Sequence, residues 1–442
     1  MKLLHILSLS LLCHSLIAQP TFTAHFDQNF DLNNHEVLES ADLDGDGKDE
    51  LILQSQSARL RYIQFSDLDN YTINEIGEID VTADIQIVDF DGDGDQDVLH
   101  ASVFTNFIKL FLNDGTGTFS ELLVGEDLVD IPSVVALDVE GDGDLDVLAS
   151  VRNGIQLFRN DDNSFTETSF YSSPPSGTHD NLTIVDWNED GINDIVAISD
   201  NGIYALILDA NGNYMELQLS DYDDGNQLWI SDFDNDGMMD LLTYEEFSRA
   251  LILHTNEGNS FSQNTLEGNA EAFTEFYTVE DLDQDGLPDI VSMRNYFDSF
   301  EGITDWSRNL GNSFDNQTIS EEYNSHDGVV TGDFDGDGDQ DIASIAAEFV
   351  TDGLLVFENE LMTNTEEIAR TTMRVYPNPA FRFIVVEVFD DQQPIQIFNV
   401  AGQLLHQQQS SRGKQKIDVS RFTEEVLLVK IGDSSQAIRL TK

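Results

Sequence analysis

Short apolar runs alternate with acidic, glycine-rich turns along most of the chain. In one repeat, an apolar run at residues 85–89 leads into an acidic loop. Further runs follow at residues 98–103, 107–112 and 118–123, the last two joined by the turn Asn113-Asp-Gly-Thr-Gly117. Runs of this length bounded by Asn/Gly turns predict antiparallel β-strands. Helix periodicity and helix start signals do not stand out anywhere. The pattern predicts an all-β protein with four strands in each repeat.

Seven acidic loops of nine residues set the period of the repeat. Successive loops begin 46 to 52 residues apart, at Asp42, Asp89, Asp138, Asp186, Asp232, Asp281 and Asp333. A period of this length with four short strands in each unit is typical of β-propeller blades. The sequence therefore predicts a seven-bladed β-propeller with calcium loops over residues 19–361.

The two ends of the repeat array complement each other. The seventh repeat has a third strand at residues 354–358 but lacks a fourth, whereas residues 21–28 resemble a fourth strand that has no blade of its own. We predict that this N-terminal segment completes the seventh blade, because the pairing would close the ring and leave no open sheet edge.

Each loop places oxygen-bearing side chains at its first, third, fifth and ninth positions, around a central glycine. Oxygen ligands at this density suit calcium better than magnesium, and the backbone carbonyl of the seventh residue adds another. Two carboxylates ~4 Å apart repel by about 4 kcal/mol at an effective dielectric of about 20, so four in one hollow call for a cation. We predict up to seven structural calcium ions.

The predicted side-chain ligands are Asp42, Asp44, Asp46 and Glu50; Asp89, Asp91, Asp93 and Asp97; Asp138, Glu140, Asp142 and Asp146; Asp186, Asn188, Asp190 and Asp194; Asp232, Asp234, Asp236 and Asp240; Asp281, Asp283, Asp285 and Asp289; and Asp333, Asp335, Asp337 and Asp341. The predicted carbonyl ligands belong to Lys48, Asp95, Asp144, Ile192, Met238, Leu287 and Asp339.

Two other interpretations of the loops are an ordinary turn and an EF-hand. Asp and Gly also dominate ordinary turns for backbone reasons, so the loops could be turns without an ion. An EF-hand needs a Glu at its twelfth position and flanking helices. The twelfth position here runs from Leu53 in the first loop to Ser344 in the seventh and never holds Glu. The second position is always apolar, which predicts that it anchors the loop to the core.

Composition narrows the class of protein. With 20 basic and 84 acidic residues the net charge is −64, which argues against a nucleic-acid partner. A hydrophobic content of 40% argues against disorder.

Residues 1–18 carry one Lys, an apolar run and Ala18, as in a cleaved secretory signal peptide. Cys13 lies inside it, so the mature chain would have no disulfide. Leu12 fits a lipoprotein signal poorly, and no later apolar stretch is long enough to span a bilayer.

A second module of different composition follows the repeats. A linker at residues 362–373 leads to residues 374–442, and residues 366–442 hold 10 of the 20 basic residues. Apolar runs within this module predict the strands of a small β-sandwich. They lie at residues 383–388, 395–398, 416–419 and 426–431.

The loops with their following hairpins resemble FG-GAP/VCBS repeats, the propellers best known from integrin α subunits, over roughly residues 20–361. The C-terminal module resembles the type A sorting domain of type IX secretion in Bacteroidota. Val375-Tyr-Pro-Asn-Pro-Ala380, Gly402 and Ile417-Asp-Val-Ser420 carry that resemblance, while Glu425 stands where such domains usually have Gly. The resemblance implies export by the type IX secretion machinery and release or anchoring at the cell surface.

The sequence favours a secreted or surface-attached binding or adhesion module for a glycan or protein over an enzyme. The alternative is a polysaccharide-active, lyase-like enzyme with a site at the channel mouth, and a purely structural surface component is a third possibility. His35, His179 and His326, each followed by an acid, lie seven residues before a loop and are either ligand contacts or strand caps. A last aromatic group is either a carbohydrate platform or blade packing: Tyr296, Phe297, Phe300 and Trp306.

Overall fold

A computed structural model describes two compact units, residues 1–361 and 362–442. In the first unit it describes residues 20–361 except 28–29, 31–34, 56–57, 103–105, 153, 162, 173–178, 200–201, 221–224, 246–248, 259, 269–271, 297–301, 312, 322 and 349–350. In the second it describes residues 373–376, 383–388, 394–399, 403–409, 413–419, 421–422, 426–431 and 434–439. The predicted signal peptide and nearly all of the predicted linker lie outside the described residues.

The first unit consists of seven four-stranded antiparallel sheets, here called blades one to seven. The strands of the first three blades, with the N-terminal strand, are β1 (Phe22–Asp27); β2 (His35–Ala41), β3 (Glu50–Ser55), β4 (Arg59–Asp67) and β5 (Asn70–Glu78); β6 (Thr82–Val88), β7 (Asp97–Ser102), β8 (Ile108–Asn113) and β9 (Phe119–Gly125); and β10 (Val134–Leu137), β11 (Asp146–Val151), β12 (Gly154–Asp161) and β13 (Ser164–Ser172).

Blades four to seven continue in the same order. Their strands are β14 (His179–Val185), β15 (Asp194–Ser199), β16 (Gly202–Leu208) and β17 (Tyr214–Ser220); β18 (Gly225–Ser231), β19 (Asp240–Glu245), β20 (Ala250–Asn256) and β21 (Phe261–Gly268); β22 (Ala272–Glu280), β23 (Asp289–Tyr296), β24 (Gly302–Asn309) and β25 (Phe314–Ser320); and β26 (Asn324–Gly332), β27 (Asp341–Glu348) and β28 (Thr351–Asn359). This arrangement confirms the predicted all-β, seven-bladed propeller fold.

The seventh blade is completed by the N-terminal strand, as the sequence predicted. β1 pairs antiparallel with β28, with Phe22 opposite Asn359 and Asp27 opposite Leu354. A second set of contacts joins blade seven to blade one: the backbone N–H of Asp49 donates to the carbonyl of Asp333 at 2.8 Å. The two ends of the repeat array therefore meet in one sheet.

A separate hydrophobic cluster lies between every two adjacent blades, including the seventh and the first. In blades one to six a bulge in the outermost strand turns an apolar side chain toward the next blade, whereas β1 of blade seven pairs with β28 without a bulge. A Cβ on Gly77 would come within 2.3 Å of the Phe111 ring, and one on Gly125 within 2.6 Å of Phe158. Glycine is needed there because the neighbouring ring occupies the space.

The innermost strands are tied to each other by side chains. Asp84 on β6 accepts hydrogen bonds from the hydroxyl of Ser133 at 2.7 Å and from the backbone N–H of Val134 at 2.9 Å. The same Ser133 hydroxyl accepts from the backbone N–H of Leu182 on β14 at 3.1 Å. Blades two, three and four are therefore linked through polar groups as well as through their apolar interfaces.

The second unit contains a three-stranded and a four-stranded sheet. Its strands are β29 (Met373–Tyr376), β30 (Phe383–Val388), β31 (Pro394–Asn399), β32 (Leu404–Gln409), β33 (Gly413–Asp418), β34 (Val426–Ile431) and β35 (Ser434–Arg439). Side chains from both sheets, such as Ile384 and Ile397, form one buried cluster, as in the predicted β-sandwich. Nowhere in the described chain is there a helix long and apolar enough to cross a membrane.

His25 on β1 connects the closing strand pair to blade one. Its Nδ1 lies 3.0 Å from Asp69 Oδ1, and its Nε2 lies 2.9 Å from Glu358 Oε2 on β28. Burial lowers the pKa of His25, but hydrogen bonds to the two acids and their negative charges outweigh burial, and the pKa is raised overall.

We expect this contact to stabilise the ring at acidic rather than alkaline pH. Because the folded pKa lies above the unfolded value, the contribution is complete below the unfolded pKa and is lost as the pH rises through the folded one. His25→Gln should lower the free energy of unfolding by about 1 kcal/mol at about pH 6 and by little at about pH 9, as measured by denaturant unfolding in excess calcium.

The control is Thr23→Ala, which removes a hydrogen bond from the same strand to Glu360 and should have the same effect at both pH values. Equal destabilisation by His25→Gln at the two pH values would contradict the assignment.

Candidate metal centres

All seven acidic loops share one backbone conformation. The first Asp accepts the N–H of the sixth residue, always glycine, with distances from 2.8 Å in the sixth loop to 3.1 Å in the second. The φ angles of these glycines lie between 88° at Gly191 and 101° at Gly94 and Gly143. No atom lies near the Cβ that a larger residue would carry. Glycine is therefore needed for its backbone conformation rather than for space.

The carboxylates converge in five of the loops. In the first, second and fifth loops, oxygens of the first, third and ninth residues lie within 4.8 Å of one another, and in the sixth and seventh the same holds for the first, third and fifth residues. The five clusters are Asp42, Asp44 and Glu50; Asp89, Asp91 and Asp97; Asp232, Asp234 and Asp240; Asp281, Asp283 and Asp285; and Asp333, Asp335 and Asp337.

The third and fourth loops do not form such a cluster of acidic residues. In the fourth loop the third position is Asn188, which replaces one carboxylate with an amide. In the third loop, Glu140 at that position forms an ion pair with Arg159, whose Nη1 lies 3.0 Å from Oε1. The third and fourth loops therefore differ in structure from the other five, and they also differ in sequence at the third loop position, where they have Glu140 and Asn188 instead of Asp.

The donor set of the converging loops fits a hard cation. Asp89 Oδ1, Asp283 Oδ1 and Asp337 Oδ2 are buried and have no hydrogen-bond partner. A buried unpaired carboxylate oxygen is costly, and several like charges around one hollow raise the cost further. The loops could therefore hold metal ions through these residues. The N–H of each seventh residue donates to the fifth side chain, at 2.9 Å for Lys48 and 3.2 Å for Asp339, and the carbonyl ligands remain a prediction.

The ninth residue closes each loop from the adjoining strand and is at most 1% exposed. In the second loop, Asp97 accepts the N–H of Phe90 at 2.9 Å and that of Asn113 on β8 at 2.7 Å. Burial raises the pKa of Asp341 to about 8, more than its backbone hydrogen bonds lower it, and the charges of neighbouring acids add to the rise. Glu50 behaves in the same way, with its pKa raised to about 8. The second residue of each loop is apolar, and all but Trp187 are fully buried, which confirms the predicted anchor.

An asparagine at the end of the third strand joins neighbouring blades, a role that the sequence analysis missed. The side-chain amide of Asn359 donates to the Leu282 carbonyl of the preceding loop at 3.0 Å and to the Gln340 carbonyl of its own loop at 3.1 Å. Asn113 and Asn309 make the same pair of contacts. The signal was present as an Asn that recurs just before the hairpin turn.

The other candidate ligand contacts are the aromatic residues of blade six and the three His-acid pairs. One of them packs in the core, and the side chains of the rest lie outside the described residues. Trp306 is 1% exposed and its indole donates to Asp289 at 3.0 Å, so a carbohydrate platform at Trp306 is wrong and blade packing is confirmed. The side chain of Tyr296, and Phe297 and Phe300 as a whole, lie outside the described residues. The three His-acid pairs begin or lie near the start of innermost strands β2, β14 and β26, and their side chains are not among those described.

Two interacting carboxyl groups occur on the innermost strands of the first two blades. Partial desolvation, together with the charge of Asp84, raises the pKa of Glu39 on β2 to about 7, although its side chain is exposed to solvent. Burial also raises the pKa of Asp84 to about 6, although hydrogen bonds from Ser133 and Val134 lower it. Elevated carboxyl pKa values occur at catalytic and at structural sites alike.

Comparison with protein families decides the identity of the repeats. Residues 89–149, 138–197, 186–243 and 249–344 match the FG-GAP-like repeat, which together is more than half of the chain. The chain belongs to the FG-GAP-like repeat family. Residues 374–441 of this FG-GAP-like protein match a secretion system C-terminal sorting domain, which indicates export to the cell surface or the exterior. Both resemblances stated from the sequence are confirmed.

Three solved structures are similar to this FG-GAP-like protein at low identity. BBS1N in complex with ARL6DN is 11% identical, with a TM-score of 0.53, and the match covers 79% of this chain and 98% of that one. An Agrocybe aegerita lectin that recognises non-reducing terminal N-acetylglucosamine is 16% identical, with a TM-score of 0.48 and coverage of 65% and 80%. PorZ of the type IX secretion system of Porphyromonas gingivalis is 10% identical, with a TM-score of 0.37 and coverage of 90% and 64%. Among curated proteins, none matches the chain.

We expect Asn359→Ala to destabilise the propeller by about 3 kcal/mol, because it leaves one buried and one partly buried carbonyl group without their donor. Thermal or denaturant unfolding of the full chain measures the loss. Asn264→Ala, at an exposed asparagine on the outermost strand of blade five, is the control and should have a small effect. Equal stability of the two variants would contradict the proposed role of Asn359.

Proposed function

We propose that this exported protein is a calcium-stabilised binding module whose ligand is a carbohydrate. The observation that carries the proposal is a group of aromatic side chains on the outer strands of blades three and four. The Tyr214 ring lies 5.1 Å from the Phe170 ring and 5.9 Å from the Tyr171 ring. Tyr214 is 38% and its neighbour Met215 63% exposed, so the group is open to solvent.

A bulge in β13 brings the two blade-three rings to one side. Ile155 pairs with Tyr171 and Gln156 with Ser169, so Phe170 is an extra residue in its strand. Consecutive side chains in a regular strand would point to opposite faces, and the bulge removes that alternation. At the position of Tyr171, blades one and two have glycine. Tyr171 fits because the next blade has Leu206 where those interfaces have phenylalanine.

Polar groups surround the aromatic rings. A surface cavity of about 350 Å³ is lined by Phe170, Tyr214, Arg159, Asn213 and other residues. The Tyr171 hydroxyl donates to Glu216 at 3.0 Å, which orients the ring. Aromatic faces with hydrogen-bonding groups at their edge suit sugar rings, which present apolar C–H faces and polar hydroxyl rims.

The proposed role of calcium is structural. The ions would sit in the acidic loops, neutralise their carboxylates and join the first and second strands of each blade. Without a disulfide in the mature chain, these ions would be the cross-links that hold the blades in register.

We expect excess chelator to lower the melting temperature by about 10 °C or more, because the loops lose the charge that balances their carboxylates. Calorimetry of the full-length protein measures the shift, and added calcium should restore it where magnesium does not. An unchanged melting temperature in excess chelator would contradict the proposed structural role of calcium.

We expect Tyr214→Ala to weaken binding on a glycan array by about tenfold or more, because the exposed stacking face is lost. Leu123→Ala removes an exposed apolar side chain from the outer strand of blade two and serves as the matched control, with binding unchanged. Absence of any bound glycan with or without calcium would contradict a carbohydrate ligand. Product analysis of each bound glycan tests the alternative of a polysaccharide-active enzyme.

A further inference from the structure

One position on the third strand of each blade lies opposite the ninth loop residue. Strand register defines this position, which we call the opposing position. It directly follows the partner of the tenth loop residue, as in the pairs Val147–Phe158 and Ile290–Ser307. Its occupants differ in charge from blade to blade: Gln64, Leu112, Arg159, Ile207, Thr255, Arg308 and Glu358.

In blade six the residue at the opposing position is Arg308, and its side chain contacts the loop carboxylates. Arg308 Nε contacts Asp283 Oδ2, and Arg308 Nη2 lies 3.3 Å from Asp285 Oδ2. The side chain of Asp283 is completely buried, and that of Arg308 is only 15% exposed. The other oxygen, Asp283 Oδ1, is buried and has no hydrogen-bond partner. This loop therefore keeps an unsatisfied ligand oxygen beside a guanidinium group.

The other blades show a graded series. In blade three, Arg159 pairs with Glu140, but half of the arginine side chain is exposed, so water screens the pair. In blade one, the neutral side-chain amide of Gln64 donates a hydrogen bond to the Asp44 carboxylate. Leu112 and Thr255 bring no charge to the loops of blades two and five. Neighbouring loops of almost the same sequence thus differ in whether a positive charge from their own blade is already present.

We propose that Arg308, and more weakly Arg159, are built-in counter-ions that lower the calcium affinity of their own loops. The seven loops then form two affinity classes, and the inference rests on the calcium occupancy proposed above. Arginine stays protonated at physiological pH, so its charge opposes a nearby divalent ion even with the screening of water. The same charge offsets carboxylate repulsion when the ion is absent.

Calcium titration of the full-length protein by calorimetry tests the proposal. Arg308→Gln should tighten one site by about tenfold or more without adding a site, because the opposing charge is lost. Arg59→Gln is the matched control, since it removes the same charge from an ion pair with Glu75 and Glu78, away from the loop carboxylates, and should leave every site unchanged. An unchanged or weaker site in Arg308→Gln would overturn the proposal.

The reciprocal change separates this inference from the proposed function. Thr255→Arg introduces the charge in blade five and should weaken one site by about tenfold. In chelator, Arg308→Gln should melt below the wild type, and Arg59→Gln should not. If the wild type binds calcium but neither Arg308→Gln nor Thr255→Arg changes the calcium affinity of a site, only the counter-ion inference fails. If the wild type binds no calcium and chelator leaves its melting unchanged, the proposed role of calcium fails, and this inference with it.

Discussion

A buried carboxylate at the base of each loop is the constraint on which the propeller depends. It joins three parts of a blade, because one oxygen accepts from the loop and, in six blades, the other accepts from the third strand. Ionisation makes such a carboxyl group a stronger double acceptor, yet burial and the neighbouring acids disfavour its negative charge. The loops therefore place several carboxylates together at the point where backbone N–H groups need an acceptor. A positive charge close to these carboxylates would reduce their repulsion.

Much of this arrangement could be predicted from the sequence because it is periodic. Seven loops in phase, with apolar second positions and an invariant glycine at the sixth, specify the number of blades and the place of each strand. The missing fourth strand of the seventh blade predicted its pairing with residues 21–28, and Phe22–Asp27 form that strand. These features follow from local chemistry repeated at a fixed interval, so one chain carries its own internal comparison.

Features that depend on a neighbouring blade were beyond the sequence. The amide of Asn359 bonds to a carbonyl 77 residues away, and the recurrence of Asn at this position does not tell which distant carbonyl it contacts. The sequence left Trp306 between a ligand contact and blade packing, and the structure shows that it is buried and donates to Asp289. The fourth loop position has positive φ even at Glu189 and Gln284, where no glycine marks it. The exposed rings of blades three and four depend on a bulge, which changes direction without a sequence signature.

The pairing of β1 with β28 has a consequence for how the chain reaches its final form. Its partners are separated by more than three hundred residues, so every blade must be made before the last strand pair can form. Contacts of such range are slow to find because the intervening chain must first be ordered. Until then the seventh blade presents an unpaired edge that can recruit other chains. The sorting domain follows β28 in sequence, so the chain that carries the unpaired edge is synthesised before the domain that directs export.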